Sequence, residues 1–143
     1  MEPRINLVTL GVRDLARSVD FYTNGLGFRP AKGSNPDITF LQMGGVVLAL
    51  FGRRALAHDI GVEARGTGFP GFSLSINLRS RAEVGAAVAQ AKKAGARVLK
   101  EPQEVFWGGY SGYFADPDGF AWEVAHNPFW ELDAEGLVRL EPA

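Results

Sequence analysis

The 143-residue chain spells one succession of elements twice, and this duplication limits the folds open to it more than any other feature. From Ile5 onward, Leu7, Thr9 and Gly11 alternate with Val8, Leu10 and Val12, the period of a strand with one firmly apolar face. Asp14 stands where a helix N-cap belongs, ahead of Leu15, Val19, Tyr22 and Leu26 at helical spacing. Asn24-Gly25 stops the pattern, with Gly25 or Gly27 free to take the left-handed turn. Apolar runs over 38–43 and 46–51, joined by Gly44-Gly45, predict a hairpin.

The second half repeats this order. Residues 72–78 alternate, with Leu74, Ile76 and Leu78 on one face and Ser73, Ser75 and Asn77 on the other. Ser80 and Glu83 form an S-x-x-E capping box before Val84, Ala87, Val88 and Ala91. Lys92 and Lys93 suit the helix C-terminus, and Ala94-Gly95 ends it. Short strands are predicted at 97–99 and 113–115, then the turn Asp116-Pro-Asp-Gly119 and a strand over 120–125. Overlaying the halves pairs Gly45 with Gly119, and therefore Ala49 with Glu123. The expected architecture is α+β, two tandem βαβββ modules of about 50 residues each. They are placed at 5–51 and 71–127, with a hinge at 52–70 holding one helical turn near 55–60, and a C-terminal tail at 128–143. Phe21, Phe28, Phe40 and Phe114 are expected to fill the two half-cores.

Several function classes fall away on composition. Fifteen Lys+Arg against sixteen Asp+Glu give a net charge of −1, without the positive excess that nucleic acid or an anionic membrane attracts. Zero cysteines remove disulfides, zinc fingers and thiol nucleophiles. The longest apolar run, 46–51, is too short to span a bilayer, and Glu2, Arg4 and Asn6 precede any apolar stretch, so a cytoplasmic protein without a secretion signal is expected. The string Gly66-x-Gly68-x-x-Gly71 matches a dinucleotide fingerprint but precedes a strand and contains Pro70, so it reads as hinge. Gly109-Tyr-Ser-Gly112 is one residue short of a nucleophile elbow and reads as a loop.

Gly11-Val-Arg-Asp-Leu15, Ser18, Phe21-Tyr22, Leu26-Gly27-Phe28, Phe114-Ala-Asp-Pro-Asp-Gly119 and Trp122-Glu123 occur in an order that resembles the vicinal oxygen chelate superfamily. That superfamily includes glyoxalases, bleomycin-resistance proteins and extradiol dioxygenases; 107–114 looks like a glyoxalase-like branch, and the likeness runs from about Ile5 to Asn127. It implies paired glyoxalase-like modules whose curved mixed sheets form a cleft, in a homodimer. It also implies, in metal-dependent members, four ligands of the His or Gln, Glu, His, Glu kind. Those positions fall here on Leu7, Ala49, Ser73 (Phe72 if the count slips by one) and Glu123. Leucine and alanine offer no lone pairs, and a serine hydroxyl is a poor ligand for zinc, nickel or iron(II). The expectation is therefore no metal and no cofactor. The two histidines, His58 and His126, are expected at solvated positions, since His126 is an odd number of residues from Glu123 on the same strand.

Without a metal the cleft implied by the resemblance is left with Leu7, Thr9, Val47, Ala49, Phe51, Ser73, Ser75, Asn77 and Glu123, joined by Trp107, Tyr110 and Tyr113 from loops. Trp107, Tyr110 and Trp130 are expected to be partly exposed. Such an apolar, aromatic-rimmed wall with few polar anchors describes a site for a small planar or aromatic molecule. Two readings stand: a binding or sequestering module of the bleomycin-resistance kind, and a lyase, isomerase or dioxygenase-like enzyme using Glu123 as general base or metal ligand. Only Glu123 supplies acid–base chemistry, which favours binding. A standard metal-dependent glyoxalase I is the least compatible with these side chains, because its enediolate chemistry leans on the ion.

Overall fold

The computed structural model describes residues 7–60, 63–66, 68–70 and 72–138. The predicted strand start at residues 5–6, Gly71 and the tail beyond 138 lie outside the described residues. The chain divides into two compact units, Met1–Pro70 and Gly71–Ala143.

In the first unit β1 (Leu7–Val12) leads into α1 (Leu15–Asp20), with Asp14 Oδ1 accepting from the Arg17 amide at 3.0 Å. The helix widens into a π-helical turn, Phe21–Gly25, where the Leu26 amide reaches the Phe21 carbonyl at 2.9 Å. Thr23 Oγ1 donates to the Val19 carbonyl at 2.7 Å inside this turn. Of the two glycines that could end the helix, Gly27 does so at φ +79°. Strands β2 (Ile38–Met43) and β3 (Val46–Gly52) form the predicted hairpin, and the sheet order is β1-β3-β2 with β1 parallel to β3. Where a fourth strand would complete the module, only a bridge between Pro30 and Leu41 remains.

Alternation then decides the core. Leu10, Val12, Leu41, Leu48 and Leu50 are buried with Phe21 and Tyr22, and each such side chain contributes about 1.5–3 kcal/mol by leaving water. Phe28 and Phe40 are only half-buried, although Phe28 stacks on Tyr22 with ring centroids 5.9 Å apart. The segment read as a hinge carries α2 (Arg53–Ile60) in this same unit, and Arg53 ties it down by donating to the carbonyls of Ala64 and Gly66, each at 3.2 Å.

The second unit holds β4 (Leu74–Asn77), α3 (Arg81–Lys93), β5 (Arg97–Glu104), β6 (Tyr110–Ala115) and β7 (Ala121–His126). Its sheet runs β4-β7-β6-β5, with β4 parallel to β7 and the remaining pairs antiparallel. The Ser80 hydroxyl accepts from the Glu83 amide at 3.2 Å, while Glu83 reaches back to the Arg79 amide at 2.7 Å, one residue earlier than the standard box. Val84, Val88 and Ala91 of α3 face Phe114, Trp122 and Val124; Phe114 and Trp122 stack at 6.2 Å.

Two strands are longer than the sequence suggests. β5 extends to Glu104 because it is an edge strand, where Pro102 is tolerated and register shifts around Lys100 hide the alternation. β6 begins at Tyr110, inside the segment read as a glycine loop. Gly112 serves close approach there: a Cβ would stand 2.9 Å from the Pro102 nitrogen and 3.0 Å from the Lys100 carbonyl. Gly112→Ala is therefore expected to lower stability by about 1–3 kcal/mol. Gly85→Ala, in an open helical position, should raise it by about 0.5–1 kcal/mol. Urea unfolding of both variants measures the contrast, and equal midpoints would contradict it.

Candidate functional site

Strand parity sorts the second sheet into two faces. Leu74, Ile76, Trp122, Val124 and Phe114 share the side of α3, whereas Ser75, Asn77, Glu123, Ala125, Ser111 and Tyr113 share the other. On that open face Glu123 is flanked in register by Ser75 of β4 and Tyr113 of β6. Ser75 Oγ donates to Glu123 Oε2 at 2.9 Å, and the Tyr113 hydroxyl donates to the same carboxylate. Cross-strand neighbours lie about 5 Å apart at Cβ, which brings the Ser75 and Tyr113 side chains to either flank of Glu123. Burial, then the hydrogen bond to Glu123, then its negative charge all push the Tyr113 phenol above its ordinary 10.0, so Tyr113 stays a neutral donor.

The row floors a cavity of about 490 Å³ lined by Ser75, Asn77, Glu123, Ala125 and Asn127, with Trp107, Phe129 and Trp130 as its aromatic wall. Trp107 comes from the β5–β6 loop, closed by the Gly108 amide on the Val105 carbonyl at 2.9 Å and the Val105 amide on the Gly109 carbonyl at 3.0 Å. The indole lies over Gly109, where a Cβ would be 1.8 Å from the ring; the Phe129 ring comes within 3.1 Å of the corresponding point on Gly108. Phe129 and Trp130 begin the tail. Asn127 Oδ1 accepts from the Phe129 amide at 2.9 Å, and Arg79 donates to the Leu132 carbonyl at 3.1 Å and to the Asp133 carbonyl. The tail's aromatics thus dock on their own unit.

The residues singled out from the sequence fall into three groups. Ser75, Asn77, Trp107 and Glu123 line the cavity together, with Tyr113 bonded beneath them. Leu7, Thr9, Val47, Ala49 and Phe51 share one face of the first unit's sheet, Ala49 being fully buried there. Tyr110 stands apart on the helix side of the second sheet, with the Arg81 guanidinium 5.5 Å above its ring and Arg81 Nη1 2.6 Å from Glu104. Ser73 precedes β4 and is exposed. His126 Nδ1 lies 3.1 Å from the Leu78 carbonyl, on the face away from Glu123, and His58 is on α2 of the first unit. Ala125 and Asn127 escaped sequence reasoning; the Phe129-Trp130 doublet after Pro128 suggests a tail that docks, but nothing in it says where.

A protein-family model matches residues 4–124, that of the Glyoxalase/Bleomycin resistance protein/Dioxygenase superfamily. The chain belongs to this superfamily. A glyoxalase-related enzyme from Fulvimarina pelagi is similar at 38% identity and TM-score 0.88, covering 99% of this chain and 100% of the other. A glyoxalase/bleomycin resistance protein/dioxygenase from Nocardioides shares 26% identity at TM-score 0.72, over 99% and 91% of the two chains. A lactoylglutathione lyase from Agrobacterium tumefaciens, 21% identical at TM-score 0.69 over 91% and 98%, shares the fold. No curated protein matches the chain significantly.

The divalent ion of metal-dependent superfamily members finds no matching donor set here. Leu7 and Ala49 offer hydrocarbon, Ser73 is an exposed hydroxyl, and the neighbours bonded to Glu123 are neutral hydroxyls that donate to it. Among the described residues no three His, Cys, Asp or Glu side chains group as metal donors.

The Tyr113–Glu123 bond has a pH signature. A phenol whose folded pKa lies above its unfolded value contributes stability fully below 10.0 and loses it as pH rises through the raised value. In a ¹³Cζ NMR titration Tyr113 should have its midpoint above 10.0, and Glu123→Gln should bring it back toward 10.0. An unchanged midpoint in that variant would refute the coupling.

Proposed function

We propose that the open face of the second unit binds, and in doing so sequesters, a small planar or aromatic molecule. The observation that carries this reading is the cavity itself: three aromatic side chains beside a floor whose one carboxylate is held in place by two hydroxyls. Rings supply stacking area at low entropic cost, and covered apolar surface contributes about 25 cal/mol per Å². A donor on the ligand would add one charge-assisted hydrogen bond to Glu123.

The enzymatic alternative has less behind it. As a general base Glu123 would take a proton while already accepting from Ser75 and Tyr113, and no second acid or base lines the cavity. The superfamily resemblance adds a homodimer to this reading; light scattering on the purified chain tests it. No described helix is long and apolar enough to cross a membrane.

Tryptophan fluorescence tests the pocket. Planar aromatic compounds should quench the emission saturably in the intact chain, and Trp107→Leu and Trp130→Leu should each weaken the response several-fold. Saturable quenching that survives both substitutions would place the ligand elsewhere. Elemental analysis of untagged protein should find no stoichiometric transition metal; one equivalent would overturn the metal-free reading.

A further inference from the structure

We infer that the ligand of this pocket is an organic cation, a planar or quaternary ammonium group seated between Glu123 and the faces of Trp107, Phe129 and Trp130. The inference rests on the small-molecule reading above and adds the sign of the ligand's charge.

Charge bookkeeping within the second unit leads there. Glu123 is the one ionisable group among the residues lining the cavity. Its two bonded partners, Ser75 and Tyr113, orient the carboxylate but cancel none of its charge, and the raised phenol of Tyr113 keeps that hydroxyl neutral. The cations nearby are committed or displaced. Arg79 spends its guanidinium on the Leu132 and Asp133 carbonyls, and Arg81 pairs with Glu104 on the far face. His126 points away from Glu123 toward the Leu78 carbonyl. Arg97 and Lys100 lie on the edge strand β5, in register with Ala115 and Tyr113, and among the described residues neither forms an ion pair with Glu123. Among the described residues of the second unit no cation pairs with this half-buried carboxylate, which therefore repels anionic ligands and attracts positive ones.

The aromatic wall points the same way. The π-faces of Trp and Phe carry negative potential, and cations placed against them are stabilised most where water is excluded. Trp107 is packed on Gly109 and Phe129 on Gly108, so one edge of the wall is held in place before any ligand arrives. A neutral aromatic would use the rings and leave the carboxylate's charge unpaired. An organic cation uses both.

N-methylquinolinium, quinoline and quinoline-2-carboxylate at pH 8 share one ring system and differ in charge. Fluorescence titration of the full chain should show the cation binding about tenfold tighter than the neutral ring, the anion weakest, and only the cation losing affinity with added salt. Glu123→Gln should remove most of the cation's advantage. Phe129→Leu changes a ring that is 73% exposed and so leaves folding intact; it should weaken the cation more than the neutral ring. Quinoline binding as tightly as N-methylquinolinium would overturn the charge inference and leave the pocket standing. Failure of all three to bind would overturn both.

Discussion

A carboxylate placed in the middle of a β-sheet face must be answered by its immediate neighbours, because the backbone around it is already paired with itself. Glu123 is answered from both sides, by Ser75 across a parallel pairing and by Tyr113 across an antiparallel one. Sliding either neighbouring strand by one residue would swap these hydroxyls for Leu74 or Ile76 and for Gly112 or Phe114. The bonded row and the apolar seam against α3 therefore enforce the same register, one from each side of the sheet. The candidate site and the core are specified by one alignment of strands.

The two units show what becomes of that alignment when the chemistry is removed. In the first, Thr9 stands opposite Ala49 just as Ser75 stands opposite Glu123 in the second. The strand order and the parallel pairing are kept, yet the position of the acid holds a buried methyl group, and a neighbouring strand has shrunk to one bridge at Pro30. One unit carries the polar row and the other does not.

Much of the fold was legible because short-range physics dictates it. Asp14 and Ser80 cap their helices as their positions require, Gly27 ends the first, and the repeated alternation located most strands. The misses have physical causes too. β5 ran past Leu99 because an edge strand tolerates Pro102 and bulges, which erase the period of two. The glycines of 109–112 suggest a loop that would bring Tyr110 to the pocket; in a strand its parity sends it to the helix side. Glu123, Ser75 and Asn77 could be placed on one face from alternation alone. The bond from Tyr113 and the docking of Phe129 could not, since one depends on which strands become neighbours and the other on Arg79 recognising backbone carbonyls, which every residue possesses.

The dependence of the tail on Arg79 divides responsibility within the cavity. The polar floor is built into the sheet, whereas Phe129 and Trp130 arrive on a strap that Arg79 fastens through the main-chain carbonyls of Leu132 and Asp133. Replacing residues along the strap would re-contour the wall without disturbing the sheet beneath. Sequence change along the strap thus reshapes one side of the cavity while the acid on the sheet stays where the strand register puts it.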